Sequence, residues 1–333
     1  MDSVVDNRSG PAPAESHGTE AAPRPRKAGA GAAQPVLGPW LRAQSLNVTR
    51  HAAALRPFRR EEFGNGGASP SEGHVQAVNT LIKSLRRGLL KMSARVTKAA
   101  GAAQREPRTE SLSEVVRRKD HAHQWVRGIE KIWDFYFELF GQRQSKYADW
   151  LLSCDRIALD CYQAAYAGLG KARSIAAPGP FCYMRTGFSP ATFRRGIPLR
   201  RLGRQLNPFP LIQLPYHRLV NPWTLGALLH ETSHNFQNDL GLNRDVPRAM
   251  ARALLAADIP KNVTAIWTRW NREMFADMSA LLLGGPHVLA ALMDVIGRAP
   301  DAVFAYRETG PHPIPYLRTL ISVELLRRMK FVD

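Results

Sequence analysis

Residues 221–241 read NPWTLGALLHETSHNFQNDLG, and this stretch decides the fold. Asn221 is placed to cap a helix whose first position is Pro222, and Gly241 stands where a glycine commonly ends one. Leu225, Leu228 and Leu229 supply an apolar side, so the pattern predicts a helix from Pro222 to about Leu240. Inside it lies His230-Glu231-Thr232-Ser233-His234. Residues four apart share one helical face, so His230 and His234 can each aim an imidazole nitrogen at a single metal ion. Glu231, one position on, is displaced around the helix, where its carboxylate can act on a water without being a ligand. That is the place of a general base.

Two histidines are too few for a zinc site, so a third ligand must come from elsewhere. Residues 270–277, WNREMFAD, put Glu273 and Asp277 four apart in an otherwise apolar helix that continues through Leu281, Leu282 and Leu283. Two carboxylates on such a helix are expensive to bury unless something cationic receives them. Glu273 as third ligand, with Asp277 accepting the other ring N–H of a ligand histidine, satisfies both. The competing reading pairs the two acids with Arg269 and Arg272 at the surface.

With these residues in hand, the chain resembles the gluzincin zinc metallopeptidases. The Glu273, Ala276, Asp277 pattern is most similar to HtpX-like and CAAX-prenyl-protease-like peptidases, and His312-Pro313 followed by Arg318 is similar to a segment after their third ligand. The metzincin pattern is absent, because Leu240 and Gln237 stand where its third histidine and its glycine would be. The resemblance covers roughly residues 205–330. It implies an α+β, zincin-like but mainly helical fold, with a small sheet beside the zinc helix and zinc (Zn2+) held by His230, His234 and Glu273. It further implies a hydrolase in which Glu231 activates water and acts on a peptide or protein substrate. His312, Tyr306 and Tyr316 are candidates for the group that faces the oxyanion. Phe209–Pro215 resembles the edge strand of zincin clefts, where a peptide can add as a β-strand; it reads equally as an ordinary core strand. The chain departs from many relatives in lacking their membrane spans, so a prenylated substrate is not carried over. The alternative is a non-catalytic zincin-fold binding protein whose basic N-terminal region engages an anionic partner.

Outward from this core the organisation is simpler. Residues 1–40 are rich in Pro, Ala and Gly and are expected to be a disordered tail. Residues 41–110 read as an irregular basic region with one amphipathic helix between Val75 and Lys98. The compact domain is expected at 111–333, opened by a capping box at Ser111 and Glu114. Within it, helices fill 111–170, strands at Phe181–Met184 and Phe209–Leu214 lie in 178–220, and the catalytic helices occupy 221–333.

Charge is unevenly spread. The 333 residues carry 46 Lys or Arg against 28 Asp or Glu, a net +18, yet residues 221–333 hold 12 basic and 11 acidic side chains. The excess lies upstream, in Lys83, Arg86, Arg87, Lys91, Arg95 and Lys98 and in the connection Arg194, Arg195, Arg200, Arg201 and Arg204. No aromatic interleaving or finger pattern accompanies it, so a solvated face is expected rather than nucleic-acid binding. Three cysteines exclude a disulfide scaffold and are expected to be buried thiols. No apolar leader opens the chain, and Met274–Gly297 is too interrupted to span a bilayer. A soluble, cytoplasmic protein is expected; His17, His51, His74, His217 and His287 show no partner pattern.

Overall fold

A computed structural model describes residues 34–187, 189–199 and 205–331. The expected tail up to residue 33, and Arg200, Arg201 and Arg204 of the basic connection, lie outside them. The described chain is mainly helical with one three-stranded sheet, as the sequence predicts.

Three long helices come first: α1 (Gln34–Ala54), α2 (Glu72–Arg105) and α3 (Thr109–Gly141). Here the sequence reading is corrected. Residues 34–54 form a helix instead of belonging to a tail and an irregular region, so the compact part begins well before Ser111. The signal in α1 is thin because its buried positions, Leu41, Val48 and Ala52, with Leu55 just after it, are sparse and Pro39 sits inside the helix. Packing supplies what propensity lacks. Leu41 meets Ala100, Ala103 and Val115; Val48 meets Val96 and Ala122; Ala52 and Leu55 meet Leu89, Val126 and Ile129. The capping box is also displaced. Ser111 accepts the Arg108 N–H at 3.0 Å from the third helical position, and Glu114 is engaged by Arg117 and Arg118. Lys83, Arg87, Lys91, Arg95 and Lys98 of α2 are exposed, as a solvated face requires, whereas Arg86 is half-buried and donates its Nε–H to the Ala52 carbonyl at 3.0 Å.

Helix α4 (Ala148–Gly168) leads into β1 (Phe181–Met184), β2 (Ala191–Phe193) and β3 (Leu211–Leu214). β3 is central, parallel to β1 with Phe181 opposite Leu211, and antiparallel to β2 with Phe193 opposite Leu211. Alternate residues of β1 and β3 point into two cores. Phe181, Tyr183 and Leu211 join Val75, Ile82, Tyr136 and Phe140 on the side of α2 and α3. Cys182, Met184, Ile212 and Leu214 join the later helices on the other side. A parallel pair covered on both faces reads as an uninterrupted apolar run. The three cysteines are buried free thiols, and burial pushes Cys154 up to about 12 and Cys161 to about 11, which keeps them as unreactive SH groups.

His74, near the start of α2, ties the bundle to the sheet. Its Nδ1 lies 2.7 Å from Ser71 Oγ and its Nε2 3.0 Å from the Gly179 carbonyl, just ahead of β1. Burial lowers its pKa to about 4, against the Gly179 hydrogen bond and with Arg143 and Arg195 adding to the depression. The folded state therefore holds neutral His74 where the unfolded chain, with its value near 6.5, takes up a proton. Stability from this group is fully present above pH 6.5 and is lost as pH falls toward 4, by about 3 kcal/mol in total. Denaturant titrations of wild type and His74→Gln at pH 7.5, 5.5 and 4.5 should show a shallower acid limb in the variant. Identical limbs would assign the acid sensitivity elsewhere.

The chain then turns through α5 (Tyr216–Leu219) and a 3-10 turn at Pro222–Thr224 into α6 (Gly226–Asp239). The predicted helix is real, but its first turn is tighter than expected and Asn221 makes no side-chain cap. Gly241 has φ +74°, the left-handed conformation that glycine adopts without strain. Helices α7 (Leu242–Ala256), α8 (Lys261–Gly284), α9 (Pro286–Ile296), α10 (Pro300–Val303) and α11 (Pro315–Arg328) complete the fold. No helix among the described residues is long and apolar enough to cross a membrane.

Candidate metal centre

Helix α6 is buried on nearly every side. α4, α8 and α9 pack around it, with β2 and β3 beside it. Its N-terminus approaches α9 so closely that a Cβ on Gly226 would sit 2.7 Å from the Ala291 Cβ and 2.9 Å from the Val288 Cα. Only glycine permits that approach. The two residues inside the motif stay buried because each hydroxyl bonds back into the helix, Thr232 Oγ1 to the Leu228 carbonyl at 2.7 Å and Ser233 Oγ to the Leu229 carbonyl at 2.8 Å.

His230 and His234 point the same way from α6, their rings 4.7 Å apart and nearly perpendicular. Glu273 of α8 reaches both: its Oε2 lies 3.5 Å from His230 Nε2 and its Oε1 3.5 Å from His234 Nε2. One donor atom from each of the three lies within 4.8 Å of the others, so His230, His234 and Glu273 could hold a metal ion. The donor set fits. Two imidazole nitrogens and a carboxylate oxygen suit zinc, and one turn further along α8 Asp277 Oδ1 lies 2.8 Å from His230 Nδ1. That contact sets a carboxylate at His230 Nδ1, while Nε2 faces Glu273. At His234 the ion pair is at Nε2, with Glu273, and its buried Nδ1 has no hydrogen-bond partner among the described residues.

Arg318 of α11 completes the chain of charges. Its Nε and Nη2 each lie 2.7 Å from an oxygen of Asp277, a bidentate fork between two buried groups. The surface pairing considered for Glu273 and Asp277 is not what forms. Both acids are buried, and Arg269 donates instead to the Glu308 carbonyl.

The electrostatics follow from this packing. Burial alone would raise Glu273 and Asp277, but hydrogen bonds from the histidines, and for Asp277 from Arg318, hold both carboxyls below their ordinary range. Burial would likewise depress His230, yet Asp277 and Glu273 outweigh it and lift the imidazole to about 10. His234 is lowered to about 4 because burial prevails over its contact with Glu273. Glu231 is pushed up to about 7, chiefly by burial, with His230 opposing and Glu273 reinforcing the rise. A carboxyl balanced near neutrality is suited to taking and returning a proton.

His230, Glu231, His234 and Glu273 line a cavity of about 410 Å³ that also takes in Arg272, His312, Arg318 and the α9 residues Val288, Ala291, Leu292 and Val295, while Asp277 lies behind it. His312 stands outside the convergent donor group. It is largely exposed, with Nε2 3.4 Å from Glu273 Oε2, and borders the cavity. Tyr306 and Tyr316 do not line the cavity; their rings pack on Trp270 and Phe304.

The edge-strand reading of Phe209–Pro215 is corrected by the sheet order. β3 is the central strand, and the edge beside the site is β2, whose Ala191 and Thr192 line the cavity with Ser189 and Pro190. The side-chain amide of Asn235, one turn past Glu231, donates to Thr192 Oγ1 and pins this edge to α6. Sequence reasoning missed β2 and Asn235. A three-residue strand is too short to show a period of two, and an asparagine one position past a ligand histidine has no signature of its own.

No protein-family description, curated protein or solved structure matches the chain.

Proposed function

We propose that this chain is a zinc-dependent metallopeptidase. One observation carries the reading: His230, His234 and Glu273 present convergent donors in the same cavity as an acid, Glu231, that burial brings to about neutral. His230, His234 and Glu273 would hold the zinc, which when bound acts as a Lewis acid toward a carbonyl and lowers the pKa of water. The chain's own groups supply the rest. Glu231 takes a proton from the attacking water at a carboxylate oxygen and returns it to the departing amine. Asp277 orients His230, and Arg318 holds Asp277 in register. His312, on the open side of the cavity, supplies an imidazole toward the carbonyl oxygen. The unpaired side of β2 offers backbone groups along which an extended peptide can lie.

The purified protein should carry about one zinc per chain by metal analysis. Dialysis against a strong chelator should abolish hydrolysis of a quenched fluorescent peptide library, and stoichiometric Zn2+ should restore it. Hydrolysis that persists in fully stripped protein would end the reading.

A further inference from the structure

The first two helices carry a charge pattern that the metal centre does not use. α1 and α2 together hold nine Lys or Arg and a single acid, Glu72 in the first turn of α2, whereas α3 holds five basic and six acidic side chains. The seam between α1 and α2 is drawn by three contacts. Ser45 Oγ lies 2.6 Å from Thr97 Oγ1, Thr49 Oγ1 lies 2.8 Å from Ser93 Oγ, and Arg86 donates to the Ala52 carbonyl. The helices therefore run antiparallel and share one outward face. Lys83, Arg87, Lys91 and Lys98 follow one another along it for about 22 Å, with Arg42 and Arg50 of α1 beside them, and all six are exposed. None of these six side chains has an ion pair or a hydrogen bond among the described residues.

Such a face has a cost that the fold itself does not offset. Lys83, Arg87 and Lys91 are spaced by four, so they stand over one another as like charges and work slightly against the helix. An external anionic surface would remove that repulsion. The apolar residues on the same face narrow its nature: Leu46 of α1 is 46% exposed and Leu90 of α2 is 44% exposed, both among the cations. A nucleic-acid backbone gives leucines nothing to enter, and strand binding relies on aromatic rings for stacking the bases. α2 contains no Phe, Tyr or Trp, and Trp40 of α1 stands five residues before Ser45, on the other flank of its helix. A bilayer surface accepts both kinds of group, phosphates for the cations and the acyl boundary for the leucines.

We propose that the α1–α2 face is a peripheral docking surface for an anionic phospholipid bilayer, held by its six cations on the headgroups with Leu46 and Leu90 entering the interface. It lies on the helical bundle and does not depend on the peptidase reading.

Cosedimentation of the full-length protein with lipid vesicles tests it. Phosphatidylcholine vesicles containing about one-third phosphatidylserine should bind the protein in a salt-dependent manner, and pure phosphatidylcholine should not. Each basic residue near an anionic surface favours binding by roughly fivefold, so Arg87→Glu/Lys91→Glu/Lys98→Glu should weaken it at least about a hundredfold. Arg244→Glu/Arg248→Glu/Arg252→Glu makes the same change in net charge at exposed positions of α7 and should leave binding nearly unchanged. Leu46→Ser/Leu90→Ser keeps every charge and should weaken the binding that remains at high salt. Unfolding temperatures of the three variants should match the wild type, since every altered side chain is exposed. Equal binding to the two kinds of vesicle would overturn the proposal, as would equal losses in the two triple variants, which would make net charge alone responsible. Binding of duplex DNA or single-stranded RNA more tightly than the anionic vesicles at the same salt would replace the bilayer with nucleic acid. A leucine variant that binds as wild type at high salt would likewise remove the bilayer as the occupant.

Discussion

Glu231→Gln is expected to lose hydrolytic activity by roughly a hundredfold to ten-thousandfold, the span set by removing a positioned general base. Its zinc content should stay at the wild-type level, because Glu231 is not among the three convergent donors. The fold should also tolerate the change. Burial already favours the uncharged form of this carboxyl, and an amide of the same shape removes the need to bury a charge. Peptide turnover, metal analysis and thermal unfolding on one preparation test all three statements. A variant with normal turnover and normal zinc would end the general-base role of Glu231.

Glu273→Ala is the second large effect, and it falls on the metal instead. Removing a group that orients a ligand typically lowers metal affinity about 10–100-fold, and removing a ligand should exceed that. Competition with a chromophoric chelator should show zinc affinity weakened by more than about a hundredfold, with activity lost in parallel. Asp277→Asn should fall within the smaller range, since it disturbs only the His230 Nδ1 contact and the Arg318 fork. Affinity unchanged by Glu273→Ala would dismiss the third ligand and bring forward His312, which already lies 3.4 Å from Glu273.

The candidate site was legible because its chemistry is written at helical spacing. His230 and His234 are four apart, as are Glu273 and Asp277, so each pair shares a face before any tertiary contact is known. That the two pairs meet could be argued from the cost of burying two acids. That Arg318 would clasp Asp277 could not, because nothing local marks an arginine 41 residues further on as a buried partner. The fold was legible where burial is periodic, as in α3, α4 and α6. It was not in α1, where widely spaced apolar residues acquire meaning only against α2 and α3. Strands β1 and β3 announce themselves as apolar runs. β2, which borders the cavity, is three half-buried residues held by pairing and by Asn235, and those are tertiary facts.

The Arg318–Asp277 fork ties α11 to a candidate metal centre to which it contributes none of the three donors. During synthesis the donors leave the ribosome in the order His230, His234, Glu273, while the arginine that neutralises Asp277 emerges later with α11. A chain ending before α11 would contain all three candidate donors, yet would leave Asp277 without its arginine partner. Support for the candidate metal centre therefore reaches it from α11 as well as from the two helices that carry its donors.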